Sequence, residues 1–248
     1  MLNSVRYLLL QVRNPDDPMR SHEVECFARA LRSNPSRIRV LDLLHQQPTA
    51  TQLSQTDVVL LGGSGHYSVV DEASVAEPAE EWLRRALDVM RDLRERRQPT
   101  FASCWGFQAM ARAIGGKVVH NPSWAEIGTH ELMLTSDGQD DPVFSPLGKE
   151  FLGQMGHEDH VVDLPAQTTL LASSDRVIHQ AYRLNDVPIY CTQFHPELNR
   201  QDLLRRLDAY PEYVRHLTGM SVDDFAASLQ DAPETEALLP RFVKYVLS

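Results

Sequence analysis

The stretch "FASCWGFQAM" (101–110) sets one of only three cysteines between an apolar extended run and a helix-forming run, with Ala102 and Gly106 two residues to either side. A side chain at a tight strand-to-helix turn stands out on strained backbone, and the N–H groups and positive dipole end of the helix's first turn point at it. Such a corner draws strand and helix together, so the positions two before and two after must be small. Ala102 and Gly106 meet that condition, and the position favours a thiolate. A free cysteine is also commonly just a buried small hydrophobe. Taken alone, the corner fits both readings.

Outward from this corner, extended apolar runs alternate with helical patterns. "RYLLLQV" (6–12), "IRVLDLL" (38–44) and "DVVLLGG" (57–63) read as strands, with a helix near 22–31 between the first two. Leu83, Leu87, Met90 and Leu93 recur at helical spacing and predict an amphipathic helix. The helix after Cys104 closes at Gly115 and Gly116, which suit a C-cap. Strand–helix alternation implies parallel pairing with right-handed crossovers and helices on both faces of the sheet. Ligands in such sheets sit outside the carboxyl ends of the strands, where Gly62, Gly63 and Cys104 fall. In the second half, 128–135, 177–183 and 188–194 read as strands joined by turns such as "TSDGQDDP", which predicts a small antiparallel portion. Beyond Asn199 the pattern is helical and polar, interrupted by Pro211, Pro233 and Pro240. The expected division is a main domain over 1–200 and a helical C-terminal appendage over 201–248.

Composition narrows the function classes. At 248 residues the chain can bury a large α/β core. A net charge of -10 without a basic stripe argues against a nucleic-acid partner. The apolar runs are too short to span a bilayer and the N-terminus lacks a signal-peptide pattern, so no membrane partner is expected and the reading is cytoplasmic. Cys26, Cys104 and Cys191 form no CxxC pair or disulfide framework, and Cys191 reads as core.

A second stretch, "YCTQFHPELN" (190–199), ends a strand at His195, and Pro196 carries the chain on to Glu197. A thiol nucleophile needs a base within hydrogen-bond reach and that base needs an orienting acceptor; one strand end could supply both. An isolated H-P-E would be a satisfied loop histidine beside a solvated glutamate. Together with the corner cysteine, the catalytic reading is the better one.

These residues carry a resemblance. "SCWG" followed by Gln108, "QFHPE" (193–197) and "LLGGSG" (60–65), in that order, resemble the class I (triad-type) glutamine amidotransferase domains, particularly the GMP synthase-like branch, over roughly 6–200. The resemblance implies a three-layer, open, mostly parallel sheet with helices on both faces, flavodoxin-like, plus the small antiparallel portion. It implies hydrolysis of the glutamine side-chain amide through a γ-glutamyl thioester, with Cys104 as nucleophile, His195 as base and then acid, and Glu197 fixing the imidazole. Gly63 and Trp105 would offer backbone N–H groups to the oxyanion, and Gln108 would help hold the substrate. Within "MGHEDHVVDLP" (155–165) it implies that Asp159 binds the substrate's α-amino group. The competing readings there are a charged turn, or a metal site on His157 and His160, which lacks the helical H-E-x-x-H spacing. "AEIGTHELMLT" (125–135) resembles the family's hairpin lead-in and reads as structural. The implied chemistry needs no cofactor and no metal.

The chain departs from the family at Ala102, where glycine is usual, and at Ser64, where proline is usual. The second change leaves the "GGSGHYS" loop freer to rotate its peptide planes. No nucleotide-activating signature follows the amidotransferase part, so an ammonia-accepting synthase would act in trans. Glutamine is the leading substrate. A γ-glutamyl peptide or amine is the first alternative, and a non-catalytic binding or regulatory subunit the second.

Overall fold

The computed structural model describes residues 4–70 and 80–248. In chain order the first half runs β1 (Tyr7–Gln11), α1 (Met19–Ala30), β2 (Ile38–Asp42), α2 (Ala50–Ser54), β3 (Val58–Leu61), α3 (Glu81–Glu95), β4 (Thr100–Ser103), α4 (Trp105–Ala113) and β5 (Lys117–His120). The second half runs β6 (Glu126–Leu134), α5 (Ser136–Asp140), β7 (Glu150–His157), β8 (Asp159–Asp163), β9 (Thr168–Ser173), β10 (Ala181–Leu184) and β11 (Ile189–Thr192). Five helices follow: α6 (Arg200–Ala209), α7 (Pro211–Thr218), α8 (Val222–Ala226), α9 (Pro233–Glu236) and α10 (Leu238–Val246).

Among the described residues, nine strands form one sheet in the order β2-β1-β3-β4-β11-β10-β9-β6-β7, and β5 pairs with β8 in a separate ribbon. Strands β2 through β11 in that order pair parallel, and from β11 outward the pairing is antiparallel. The central parallel strands β1, β3, β4 and β11 are buried at every position, as strands covered on both faces must be. Alternation along each strand then divides the core. Leu8, Leu10, Val59 and Leu61 pack with Leu87, Met90 and Phe107 of α3 and α4. Tyr7, Leu9, Val58 and Leu60 pack on the other face with Phe27 and Leu31 and with Leu238, Leu239, Phe242 and Val243 of α10.

Local chemistry sets the element ends. Gly115, at φ 98°, follows α4, and Gly116 N–H donates to Ala111 O (2.8 Å). The predicted turn "TSDGQDDP" contains the one-turn helix α5, because Thr135 Oγ1 accepts the Gly138 N–H (3.0 Å) as an N-cap. Strands β3, β4 and β11 lie side by side and parallel. Their carboxyl ends therefore deliver Gly63, Cys104 and His195 to one edge of the sheet.

Candidate active site

Cys104 stands between β4 and α4 at φ 51°, ψ -103°, a left-handed-side backbone that a non-glycine residue adopts only under strain. Three backbone bonds hold the corner: Cys104 N–H to Thr192 O (2.8 Å), Gly106 N–H to Gly62 O (3.2 Å) and Gln108 N–H to Cys104 O (3.1 Å). A methyl group on Gly106 would lie 2.6 Å from Leu61 Cβ and 3.2 Å from Ala102 Cβ. Small residues at 102 and 106 are thus a steric requirement of the corner. Gly63 faces it across the cleft: a Cβ there would come within 2.8 Å of His195 Cε1 and 3.5 Å of both His195 Nε2 and Cys104 Cβ. Gly63 and Trp105 both line the pocket.

His195 Nδ1–H donates to Glu197 Oε1 at 2.7 Å, and Glu197 is fully buried. The carboxylate's other oxygen accepts from Ser103 Oγ (3.2 Å), next to the cysteine in sequence. Burial opposes the imidazolium, but the charges of Glu197 and then Cys104 outweigh it and hold His195 up at about 9. Burial likewise opposes the Glu197 carboxylate, and His195 with Arg206 outweighs it, holding the group down at about 2. A thiol beside an imidazole whose far nitrogen is held by a buried carboxylate can carry out nucleophilic acyl transfer.

Gln108 and Asp159 lie in the same pocket. Gln108 Nε2 donates to Asp159 O (3.0 Å) and Gln193 Oε1 (3.1 Å), so this amide positions the Asp159 backbone. The Asp159 carboxylate meets His120 Nδ1 (2.8 Å) and Ser68 Oγ (2.5 Å). His157 contacts Asp159 O (3.2 Å) and Glu126 Oε2 (3.1 Å), and His160 Nε2 contacts Asn121 O (3.1 Å). Glu126, in the hairpin lead-in, also accepts from Ser174 Oγ (2.7 Å) and Gln180 Nε2 (2.5 Å), a buried structural knot. Ser64 Oγ accepts from His66 N–H (3.3 Å) and Tyr67 N–H (3.1 Å), so a side-chain acceptor ties the loop that lacks a proline.

Outside the pocket, His22, Cys26 and Asp202 bring ligand atoms within 4.8 Å of one another. Burial pushes the Cys26 thiol well up, keeping its proton on, and Asp202 is already paired with Arg29, whose charge opposes a cation. Burial also raises Cys191, to about 12.

Several residues of the site have no local signature in the sequence. Arg206 of α6 places Nη1 3.3 Å from His195 Nδ1 and Nη2 3.5 Å from Glu197 Oε1. Since the Nδ1–H donates to Glu197, the guanidinium acts on the ring as a neighbouring positive charge. Behind it, Arg13 pairs with Asp17 (3.0 Å) and Glu23 (3.2 Å), all nearly fully buried, and Tyr210 Oη donates to Asp17 Oδ1 (3.0 Å). These contacts join elements far apart in the chain, which leaves no pattern for a sequence reading to find.

A strained corner cysteine with a buried His–Glu pair on adjacent parallel strand ends defines an α/β protein whose candidate site has the groups that thiol nucleophile chemistry requires. The glutamine amidotransferase class-I family model matches residues 23–203, and the chain belongs to that family. It is 27% identical over 175 residues to gamma-glutamyl peptidase 3 of Arabidopsis thaliana, covering 68% of this chain and 65% of that protein. It is 36% identical over 100 residues to the glutamine-hydrolyzing GMP synthase of Thermosipho africanus, covering 40% of this chain and 18% of that protein, so it spans less than two thirds of either relative. With a glutamine-hydrolyzing GMP synthase subunit of Sulfolobus acidocaldarius the identity is 27%, over 66% of this chain and 78% of that one. The crystal structure of a glutamine amidotransferase from Thermotoga maritima superposes with a TM-score of 0.76 at 19% identity over 98% of both chains, a likeness of fold. Among the described residues, no helix is long and apolar enough to cross a membrane.

Proposed function

We propose that the protein is a cysteine hydrolase of γ-glutamyl amides. One observation carries the reading: Cys104, His195 and Glu197 converge at the ends of β4 and β11, with the His–Glu contact at 2.7 Å and all three buried. The thiolate of Cys104 attacks the γ-carbonyl carbon, and the carbonyl π electrons move onto oxygen. Backbone N–H groups of Gly63 and Trp105 receive that oxyanion, a contribution of ~3 kcal/mol per donor. A ring held at about 9 carries its proton at neutral pH, so His195 protonates the leaving nitrogen as the C–N bond breaks. The γ-glutamyl group is then a thioester on Cys104. Water attacks it and gives a proton to the now neutral imidazole, and the C–S bond breaks to return glutamate and the thiolate. Nδ1 keeps its proton throughout and donates it to the Glu197 carboxylate, which fixes the ring. Asp159, positioned by Gln108, takes the substrate's α-amino group.

Glutamine is the simplest substrate, and its ammonia would pass to a synthase in trans; the similarity to a separate GMP synthase subunit supports this. The similarity to a gamma-glutamyl peptidase supports a substituted amide as the second reading, and so does a cleft of about 290 Å³ that continues past Cys104 to α6 and α7. A non-catalytic role is disfavoured because binding alone has no chemical need for all three reactive groups. The test is release of ammonia or amine from glutamine and γ-glutamyl peptides by the wild type, beside intact-protein mass spectrometry of His195→Asn for a γ-glutamyl adduct on Cys104. Turnover of either substrate is the expected result. No turnover of any γ-glutamyl amide, with or without an added synthase, overturns the proposal.

A further inference from the structure

We infer that the wall built by α6 and α7 is a subsite for the leaving group, and that the amide cleaved here carries an uncharged apolar or aromatic amine. This deepens the γ-glutamyl hydrolase reading and rests on it.

The nitrogen that leaves must lie within hydrogen-bond reach of the imidazole nitrogen that protonates it. Glu197 occupies Nδ1, so the donor is Nε2, the nitrogen that faces Gly63. The Gly63 loop runs from there to Gly65, where a Cβ would touch the Tyr210 ring at 3.0 Å, and His66 packs edge-on against the same ring at 5.8 Å. The imidazole's other flank meets Arg206, which stands on α6 between Leu203 and Leu207, and both leucines line the cleft. Spacings of three and four residues put these side chains on one helix face. The glutamyl head, held at Asp159 and Gln108 on the β7–β8 side, therefore leaves the amine substituent pointing along α6 toward Tyr210, while Tyr213 closes the cleft on the Glu158 and Asp159 flank.

Leu203 and Leu207 are nearly fully buried and Tyr210 and Tyr213 half-buried, so the wall is aliphatic and aromatic. Burial, then Glu158, Cys104 and Asp159, push the Tyr213 phenol upward, so it faces the cleft as a neutral ring and hydroxyl. Both guanidinium groups that reach this wall are committed, Arg13 to Asp17 and Glu23, and Arg206 to Glu197 and Glu23. With the protonated His195 counted, three buried carboxylates face three cations, which leaves no surplus positive charge for an anionic leaving group. The bond changes are those of the amide cleavage already given: C–N breaks, the proton passes from His195 to nitrogen, and the free amine departs along the wall.

The wild-type protein would be assayed for amine or ammonia release with glutamine, γ-glutamylglycine, γ-glutamylphenylalanine and γ-glutamylbenzylamide. We expect kcat/KM for the benzylamide to exceed that for glutamine by about tenfold or more, the discrimination that apolar pocket contacts supply, and to exceed that for γ-glutamylphenylalanine. In Tyr210→Ala the benzylamide-to-glutamine ratio should fall toward one. Glutamine turned over as well as the benzylamide overturns the subsite and leaves the hydrolase reading standing. A preference for γ-glutamylphenylalanine overturns the uncharged leaving group. A ratio unmoved by Tyr210→Ala overturns the assigned wall, and no cleavage of any of the four overturns both readings.

Discussion

The Cys104 corner and the Arg206 wall meet at one imidazole, but they are made of different material. The corner is backbone: a φ of 51°, three main-chain hydrogen bonds and a steric exclusion at Gly106. The wall is side chain: a guanidinium 3.3 Å from His195, two leucines and two tyrosines delivered by helices from the far end of the chain. A backbone device has few solutions and tolerates little change. A side-chain device can be rebuilt residue by residue. On the proposed function the corner would set the reaction and the wall the amide it acts on.

Loss of the corner's thiol has the largest expected effect. Cys104→Ala should lower kcat by on the order of 10⁴-fold or more with an unchanged thermal melt; appreciable residual turnover would move the nucleophile elsewhere. Glu197→Gln keeps the volume but loses the orienting acceptor, and should cost about 10²–10⁴-fold in kcat with the fold intact by circular dichroism.

Ala102→Val should destabilise by about 1–3 kcal/mol in a urea titration through overpacking against Gly106 and Leu61, and lower kcat by about 10²-fold by displacing the thiol. Ala102→Gly should keep activity. Equal behaviour of the two variants would mean that the corner is not tight.

On the wall side, Arg206→Met should lower kcat/KM by about tenfold, a charge-assisted contact's worth. It should also move the alkaline limb of the pH profile upward, because a cation opposing the imidazolium is gone; Arg206→Lys should restore the wild-type limb. The smallest effect is on stability. A histidine held at about 9 in the folded state and ~6.5 in the unfolded state binds more protons when folded. Its contribution is fully present below ~6.5 and is lost as pH rises through about 9. Urea midpoints of wild type and His195→Gln should diverge at low pH and converge above it.

What the sequence discloses follows the same division. The parallel half was legible because continuous apolar runs at β1, β3 and β4 and helical spacing in α3 are local patterns. So were Cys104 and His195–Glu197, each recognisable from its immediate neighbours. The knot of Arg13, Asp17, Glu23 and Arg206 was not, since Glu23 and Arg206 read as ordinary polar residues of surface helices and acquire meaning only when α1 and α6 pack. The helicity beyond Asn199 was readable for the same local reasons. The burial of α10 against β1 and the seating of α6 and α7 over the cleft depend on tertiary contacts that no window of sequence contains.

The φ of 51° at Cys104 also bears on how this protein could change over time. Backbone strain of this kind costs about 1–3 kcal/mol, against a total stability of ~5–15 kcal/mol for a typical domain. Glycine would relax the corner and leave it mute. Selection for thermal endurance alone would run downhill toward Cys104→Gly and erase the chemistry, so a heat-adapted descendant that still turns over substrate must find its stability at a distance from this residue.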